Sequence, residues 1–298
     1  MSCSVQNKLT LRSFRKGYSQ MPAGKMWLSG VIVISLFVLV ALLAPWLVPY
    51  DPHEISGASL EPPGHEHFLG TNDLGQDILS ELLIGTRRSL FIGFVAGLGC
   101  TLLGLFIGVA AGYCSGWPGK IFNRIIYLFM IIPSLPVMLL VAALLGPGLW
   151  NIIVVMVLFG WPVEARVIRS QTFVIKSRVH IEAAALLGAG TIYIWCRHVL
   201  VELLPLVLVA TVMQVSRALL TEAGLAFLGL GDPTAKSWGM IIRYALDYKA
   251  IYFTDAWLWW LLPPGLCIAA AVMALNLIGY GLEELADRRL GERKHGTA

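Results

Sequence analysis

Two ionisable residues set inside an apolar run are the first candidates for chemistry. Arg217 and Glu222 lie five positions apart in the segment 205–230. Charge at membrane depth is costly, so such residues point by default to an ion or substrate pathway. Five positions turn an α-helix by about 140°, a poor angle for pairing within one helix. The two side chains therefore meet a polar pathway, meet a partner subunit, or serve packing alone. A second candidate is His65-Glu66-His67, with His53, Asp51 and Asp73 in the same loop. An HxH beside carboxylates is a metal-ligand pattern, but there is no second matched pair, so polar loop contacts are expected and no metal site. Nucleophile and metalloprotease signatures (GxSxG, SxxK, HExxH) are missing. The nearest approach to a phosphate loop, Gly119-Lys120, has Cys114 where the leading Gly belongs and Ile121 in place of Ser or Thr. If the chain runs on nucleotide energy, another subunit supplies it.

A third stretch carries recognition chemistry rather than catalysis. IEAAALLGAGTIYIWCRHVLVELLP, residues 181–205, is apolar in composition yet holds Glu182, Arg197, His198 and Glu202. Glu182 near a helix start complements the helix dipole, Ala183 and Ala184 are strong helix formers, and Gly188 with Gly190 permits a sharp reversal. Helix, glycine turn, helix is the expectation. A short helix with small side chains fits a groove on another protein; the alternative is an amphipathic helix lying on lipid.

Which of these holds depends on where the segments sit. Of the 298 residues, 57% are hydrophobic and 13% charged, against about 25% charged in soluble domains, so a polytopic membrane protein is expected. Five scattered cysteines include no CxxC pair, and Cys100 and Cys267 read as small buried hydrophobes. Six runs reach the roughly 20 apolar residues that a spanning helix needs: 27–49, 87–112, 121–146, 149–168, 205–230 and 257–281. The third and fourth, joined by GPGLW, form a hairpin. The first run is longer than a signal-peptide core, so it reads as an uncleaved anchor. Lys and Arg concentrate before it (Lys8, Arg12, Arg15, Lys16, Lys25), in 166–204 and in the tail, whereas 51–86 has seven acids and no Lys or Arg. By the positive-inside rule both termini and residues 181–205 are cytoplasmic. The chain then divides into a tail 1–26, a first helix 27–49, an extracytoplasmic loop 50–86, a five-helix core 87–281 with the loop 170–204, and a tail 282–298. In the second run Gly93, Gly97, Gly104, Gly108 and Gly112 recur mostly at four-residue intervals, the small-residue spacing that lets helices pack closely in lipid.

The stretch 182–205 resembles the EAA loop of ABC importer permeases, matching E-A-A, three residues, G, and a closing L-P through Glu182, Ala183, Ala184, Gly188, Leu204 and Pro205, with Val201 near the aliphatic position. LAPWLVPYDP (43–52), HFLGTNDLGQDILSELLIGTRRSL (67–90) and TEAGLAFLGLGDPTAKSWGMII (221–242) are similar to the second permease subunit of dipeptide, oligopeptide and nickel importers. Asn72, Gln76 and Glu81 depart from that pattern, as do Ala226 and Arg217, and the first three make the outer face less basic, which sets it apart from the usual peptide carriers. The resemblance implies an all-α membrane protein with the six-helix type I ABC importer permease fold in a bacterial inner membrane. It implies a cytoplasmic coupling helix whose contact residues are Glu182, Ala183, Ala184, Leu187, Gly188 and Ala189. Its partners would be a sister permease, two cytoplasmic ATP-binding subunits that hold ATP and Mg2+, and an external substrate-binding protein; the chain itself would bind no cofactor and catalyse nothing. Cargo would be peptides or a related small polar or metal-chelate solute. A membrane scaffold recruiting a partner through the same loop, or an intramembrane enzyme using Arg217 and Glu222, are the rival readings.

Overall fold

A computed structural model describes residues 23–295, with side chains from 26 to 284. The basic flank Lys8 to Lys25, Cys3 and the basic tail side chains Arg288 to Lys294 therefore lie outside the described side chains. In chain order the helices are α1 (Ala23–Leu47), α2 (Ile78–Tyr113), α3 (Trp117–Ile131), α4 (Ser134–Leu145), α5 (Leu149–Gly160), α6 (Pro162–Lys176), α7 (Val179–Leu186), α8 (Thr191–Ile194), α9 (Leu200–Leu225), α10 (Trp238–Asp247), α11 (Trp257–Trp260) and α12 (Leu262–His295). No strand occurs among the described residues. The protein is an all-helical membrane protein with four helices long and apolar enough to cross a bilayer, or six if each of two bent pairs is one span.

Each bend sits at a proline. Between α3 and α4 the axis turns by 87° at Ile132-Pro133. The residue before a proline is driven out of helical dihedrals, and Ile132 is extended at φ −70°, ψ 125°. Between α5 and α6 the turn is 41° at Trp161-Pro162; Trp161 stays helical, but Pro162 brings no N–H to the ladder. The hairpin expected between the third and fourth runs exists as α4 against α5, reversed at Gly146, whose φ is +78°.

Helix α2 begins at Ile78, nine positions before the run that hydropathy marks from 87. Its start is set by capping: the Asp77 carboxylate accepts the Ser80 N–H at 2.8 Å. The first turns carry Ser80, Glu81 and Thr86, so hydropathy does not mark them although they are helical. At 36 residues and about 1.5 Å each, α2 exceeds the thickness of a hydrocarbon core. Helix α12 likewise continues past 281 to His295.

The five glycines of α2 divide between two neighbours. Gly93 and Gly97 face Leu219 and Val215 of α9, while Gly104, Gly108 and Gly112 face Glu164, Ala165, Ile168 and Thr172 of α6. Helix α1 lies mainly along α12, where Gly30 approaches the Ala274 carbonyl. A Cβ on Gly97 would stand 2.7 Å from the Val215 Cα and N, backbone atoms that cannot rotate away. Gly97→Ala is expected to cost about 1–3 kcal/mol by overpacking, read as a lower Tm of the purified protein. Gly265→Ala, where a Cβ meets nothing within 4 Å, is expected to leave the Tm unchanged or raised.

Candidate functional site

The loop after α6 is built as the alternation of helix formers and glycines demands. Arg178 precedes α7 in an extended conformation, and α7 ends in a paired cap: Gly188 N–H donates to Ala185 O at 3.1 Å and Ala189 N–H to Ala184 O at 3.0 Å. That pair of bonds requires a left-handed residue after the helix, and Gly188 supplies it with φ +86°. The spacing from Glu182 to Gly188 thus fixes a two-turn helix and its reversal. Only Ile181 of α7 is buried, packed with Val109, Ile168, Ile175, Ile194, Val199 and Leu203. The rest of the helix faces outward: Glu182 and Ala183 are exposed, Leu186 and Leu187 are 89% and 88% exposed, and the space around Gly188 and Gly190 is open. Two exposed leucines at a rigid helix tip are an unpartnered apolar surface.

This helix is tied to α9. Glu202, in the first turn of α9, accepts from Arg178 Nη1 at 2.5 Å through one oxygen and lies 3.0 Å from His180 Nε2 through the other. Between the two helices, α8 runs through a π-helical turn, Trp195–Val199, into α9, where Pro205 removes one N–H from the ladder. On the other side Lys176 Nζ, at the end of α6, donates to the Tyr113 carbonyl at 2.6 Å and to Ser115 Oγ at 2.7 Å, closing the last turn of α2.

At the far end of α2 the three residues Asn72, Gln76 and Glu81 are all buried and bonded together. Asn72 Nδ2 donates to Gln76 Oε1 and to Glu81 Oε1, both at 2.9 Å. Lys236 Nζ enters the same cluster, 2.8 Å from Gln76 Oε1 and 2.6 Å from Glu81 Oε1, and lies 5.3 Å above the Tyr244 ring. Burial pushes the Tyr244 phenol above its ordinary range. The expectation that these positions alter the charge of an exposed face is corrected: all three are buried, where Glu81 pairs with Lys236 and the two amides hydrogen-bond within the cluster. His67 is buried too, its Nδ1 3.0 Å from the Asp77 carboxylate, whereas His65 is exposed. Among the described residues no three His, Cys, Asp or Glu side chains gather as metal ligands.

Arg217 and Glu222 are separated. Glu222 is 2% exposed and turned inward, while Arg217 is half-exposed and its Nη2 donates to Glu164 Oε1 at 2.6 Å. Glu164 stands in the first turn of α6, just past the Pro162 bend.

Residues 104–292 match the family profile described as binding-protein-dependent transport system inner membrane component, and residues 25–63 match the N-terminal TM domain of oligopeptide transport permease C. The chain belongs to this permease family. It is 36% identical over 263 residues to the nickel transport system permease protein NikC of Escherichia coli K12, covering 87% of this chain and 93% of that one. It is 35% identical over 271 residues to the di/tripeptide transport system permease protein DppC of Pseudomonas aeruginosa, covering 88% of each. The chain is a multi-pass inner-membrane permease component of the bacterial ABC importers of this type.

In the permease, the residues expected for coupling, Glu182 to Ala189, stand together on one short helix and its cap. Arg217 and Glu222 do not stand together. The partner that Arg217 does have, Glu164, was overlooked although it lies inside the expected fourth span, where any acid merits the same attention. Lys236 was likewise hidden, because its partner Glu81 is 155 positions away.

The Glu81–Lys236 cluster makes a direct prediction. Glu81→Met leaves the Lys236 ammonium buried without its counter-ion and is expected to destabilise the permease by about 3–5 kcal/mol. Glu81→Met with Lys236→Met together is expected to recover most of that loss, as a double-mutant cycle on Tm or protease resistance would record.

Proposed function

We propose that the permease forms half of the translocation pathway of an ATP-driven importer, with a sister permease as the other half. The supporting observation is the rigid, Gly188-capped helix α7, which holds Leu186 and Leu187 outward while Ile181 and Glu202 fasten it to the transmembrane core. In this reading the chain crosses the membrane six times, each bent pair making one span, and both termini are cytoplasmic. Helix α7 seats in a cleft of a cytoplasmic ATP-binding subunit through Glu182, Ala183, Ala184, Leu187, Gly188 and Ala189. Two such subunits bind and hydrolyse ATP with Mg2+; this chain binds neither. An extracytoplasmic binding protein delivers cargo, a peptide or a related small polar or metal-chelate solute, to the other end of the pathway.

The geometry supplies a mechanical route. When the ATP-binding subunits close, α7 is carried with them. Its displacement reaches α9 through the Glu202 contacts to Arg178 and His180 and through the apolar packing of Ile181 with Leu203. The same displacement reaches α2 through Lys176 and the Tyr113 carbonyl. The prolines at 162 and 205 are the points where helix ends can tilt relative to the rest. Tilting of α9 against its counterpart in the sister permease opens the pathway outward, and hydrolysis resets it.

Gly188→Trp places a bulky side chain where φ is +86° and the left-handed backbone disfavours any Cβ. In the complete transporter it is expected to abolish cargo-dependent ATP hydrolysis and uptake while the permeases still fold and pair. Retention of both uptake and stimulated hydrolysis would remove α7 from the coupling route.

A further inference from the structure

Arg217 lies inside the continuous apolar span Thr191–Leu230, nearer its C-terminal end and about seven residues from its middle, roughly 10 Å at 1.5 Å per residue. That is within the roughly 15 Å half-thickness of a hydrocarbon core. A long cationic side chain at such depth commonly stretches toward the nearer interface. This one does the opposite: its Nε donates to the Met213 carbonyl at 3.4 Å, so the side chain folds back toward the helix N-terminus, away from the nearer end. There Nη2 meets Glu164, which is almost wholly buried (5% exposed), while Arg217 keeps 49% of its side chain uncovered. A guanidinium has five N–H donors; these two bonds leave three without a partner among the described residues. Hydrocarbon cannot satisfy them, so this face borders water or another polar group. The positions that continue the same face of α9 suit a lined channel: Thr221 donates its hydroxyl back to the Arg217 carbonyl, and a Cβ on Gly224 would meet nothing within 4 Å.

Because Glu164 is buried behind it, the group presented to that space is the cation alone, held in place by its counter-ion. A held planar fork with free N–H groups matches a carboxylate in two-point geometry and repels bare cations. We propose that Arg217 is the recognition residue of the pathway for cargo bearing a free carboxylate, with Glu164 as the residue that positions it. This assignment rests on the importer reading. It selects, from the cargo classes open to such permeases, solutes with a carboxylate terminus and excludes the uncomplexed metal ion.

The test uses cells carrying the complete transporter with its partner subunits. They are given dialanine, dialanine amide or nickel chloride in turn, with uptake followed by mass spectrometry. The wild type is expected to take up dialanine and neither of the other two. Arg217→Gln is expected to lower dialanine uptake about tenfold or more, the size of a charge-assisted hydrogen bond, and Arg217→Lys to lower it less. Both variants are expected to co-purify with the sister permease at the wild-type level. Uptake of the amide or of nickel chloride by the wild type, dialanine uptake unchanged in Arg217→Gln, or no uptake of any probe would each overturn the assignment. So would loss of the sister permease from Arg217→Gln, which would place Arg217 in the subunit interface. Failure here leaves the importer reading standing or falling on the Gly188→Trp experiment, whose ATP-hydrolysis readout does not involve Arg217.

Discussion

Backbone-to-backbone approach of α2 to two neighbours is the constraint on which the rest of this permease depends. Lipid offers no hydrophobic drive for helices to associate, so close van der Waals contact has to supply it. Gly97 brings α2 against the backbone of α9, and Gly104 and Gly108 bring it against α6. Fixing α2 to both helices also fixes α6 and α9 to each other. Glu164 is held against Gly104 on one side and reaches Arg217 of α9 on the other. An ion pair at membrane depth is thereby assembled from helices that would otherwise pay the desolvation of each charge alone.

The two ends of α2 carry opposite kinds of attachment. Its first turns are gripped by side chains, through the Asp77 cap and the Glu81 contacts to Asn72 and Lys236. Its last turn is gripped through the backbone, by Lys176 on the Tyr113 carbonyl. A helix anchored this way behaves as a strut. Bending is left to points such as Pro162, at the join of α5 and α6, and Pro205, in the second turn of α9, in the two long helices that flank α7. The proposed function uses that division: the strut gives a fixed reference, and the kinked helices tilt against it.

Much of this was legible in the sequence. The glycine repeat announced close packing, and the Glu182 to Gly188 interval announced a short helix with a left-handed stop, because both signals are local and follow from helix geometry. What escaped was long-range or masked. The first turns of α2 read as loop because Ser80, Glu81 and Thr86 lower hydropathy without breaking a helix. Asn72, Gln76 and Glu81 read as surface changes because hydropathy carries no record of Lys236, which pairs with Glu81 and donates to Gln76 from far along the chain. The 140° between Arg217 and Glu222 (about 100° per residue) already argues against an intrahelical pair, but hydropathy does not say that Glu222 is the one turned inward or that Arg217 meets Glu164. The 87° break before Pro133 was missed because the runs on either side are continuously apolar.

Contact between α7 and a cytoplasmic ATP-binding subunit is tested most directly by site-specific photo-crosslinking. A photoreactive amino acid replaces Leu186, 89% exposed beside the Gly188 cap, or Phe253, 90% exposed in the segment between α10 and α11. In membranes holding the complete transporter, the probe at 186 is expected to link to an ATP-binding subunit and the probe at 253 is not. A probe at 186 that links only to lipid, or a probe at 253 that links to the ATP-binding subunit, would contradict it.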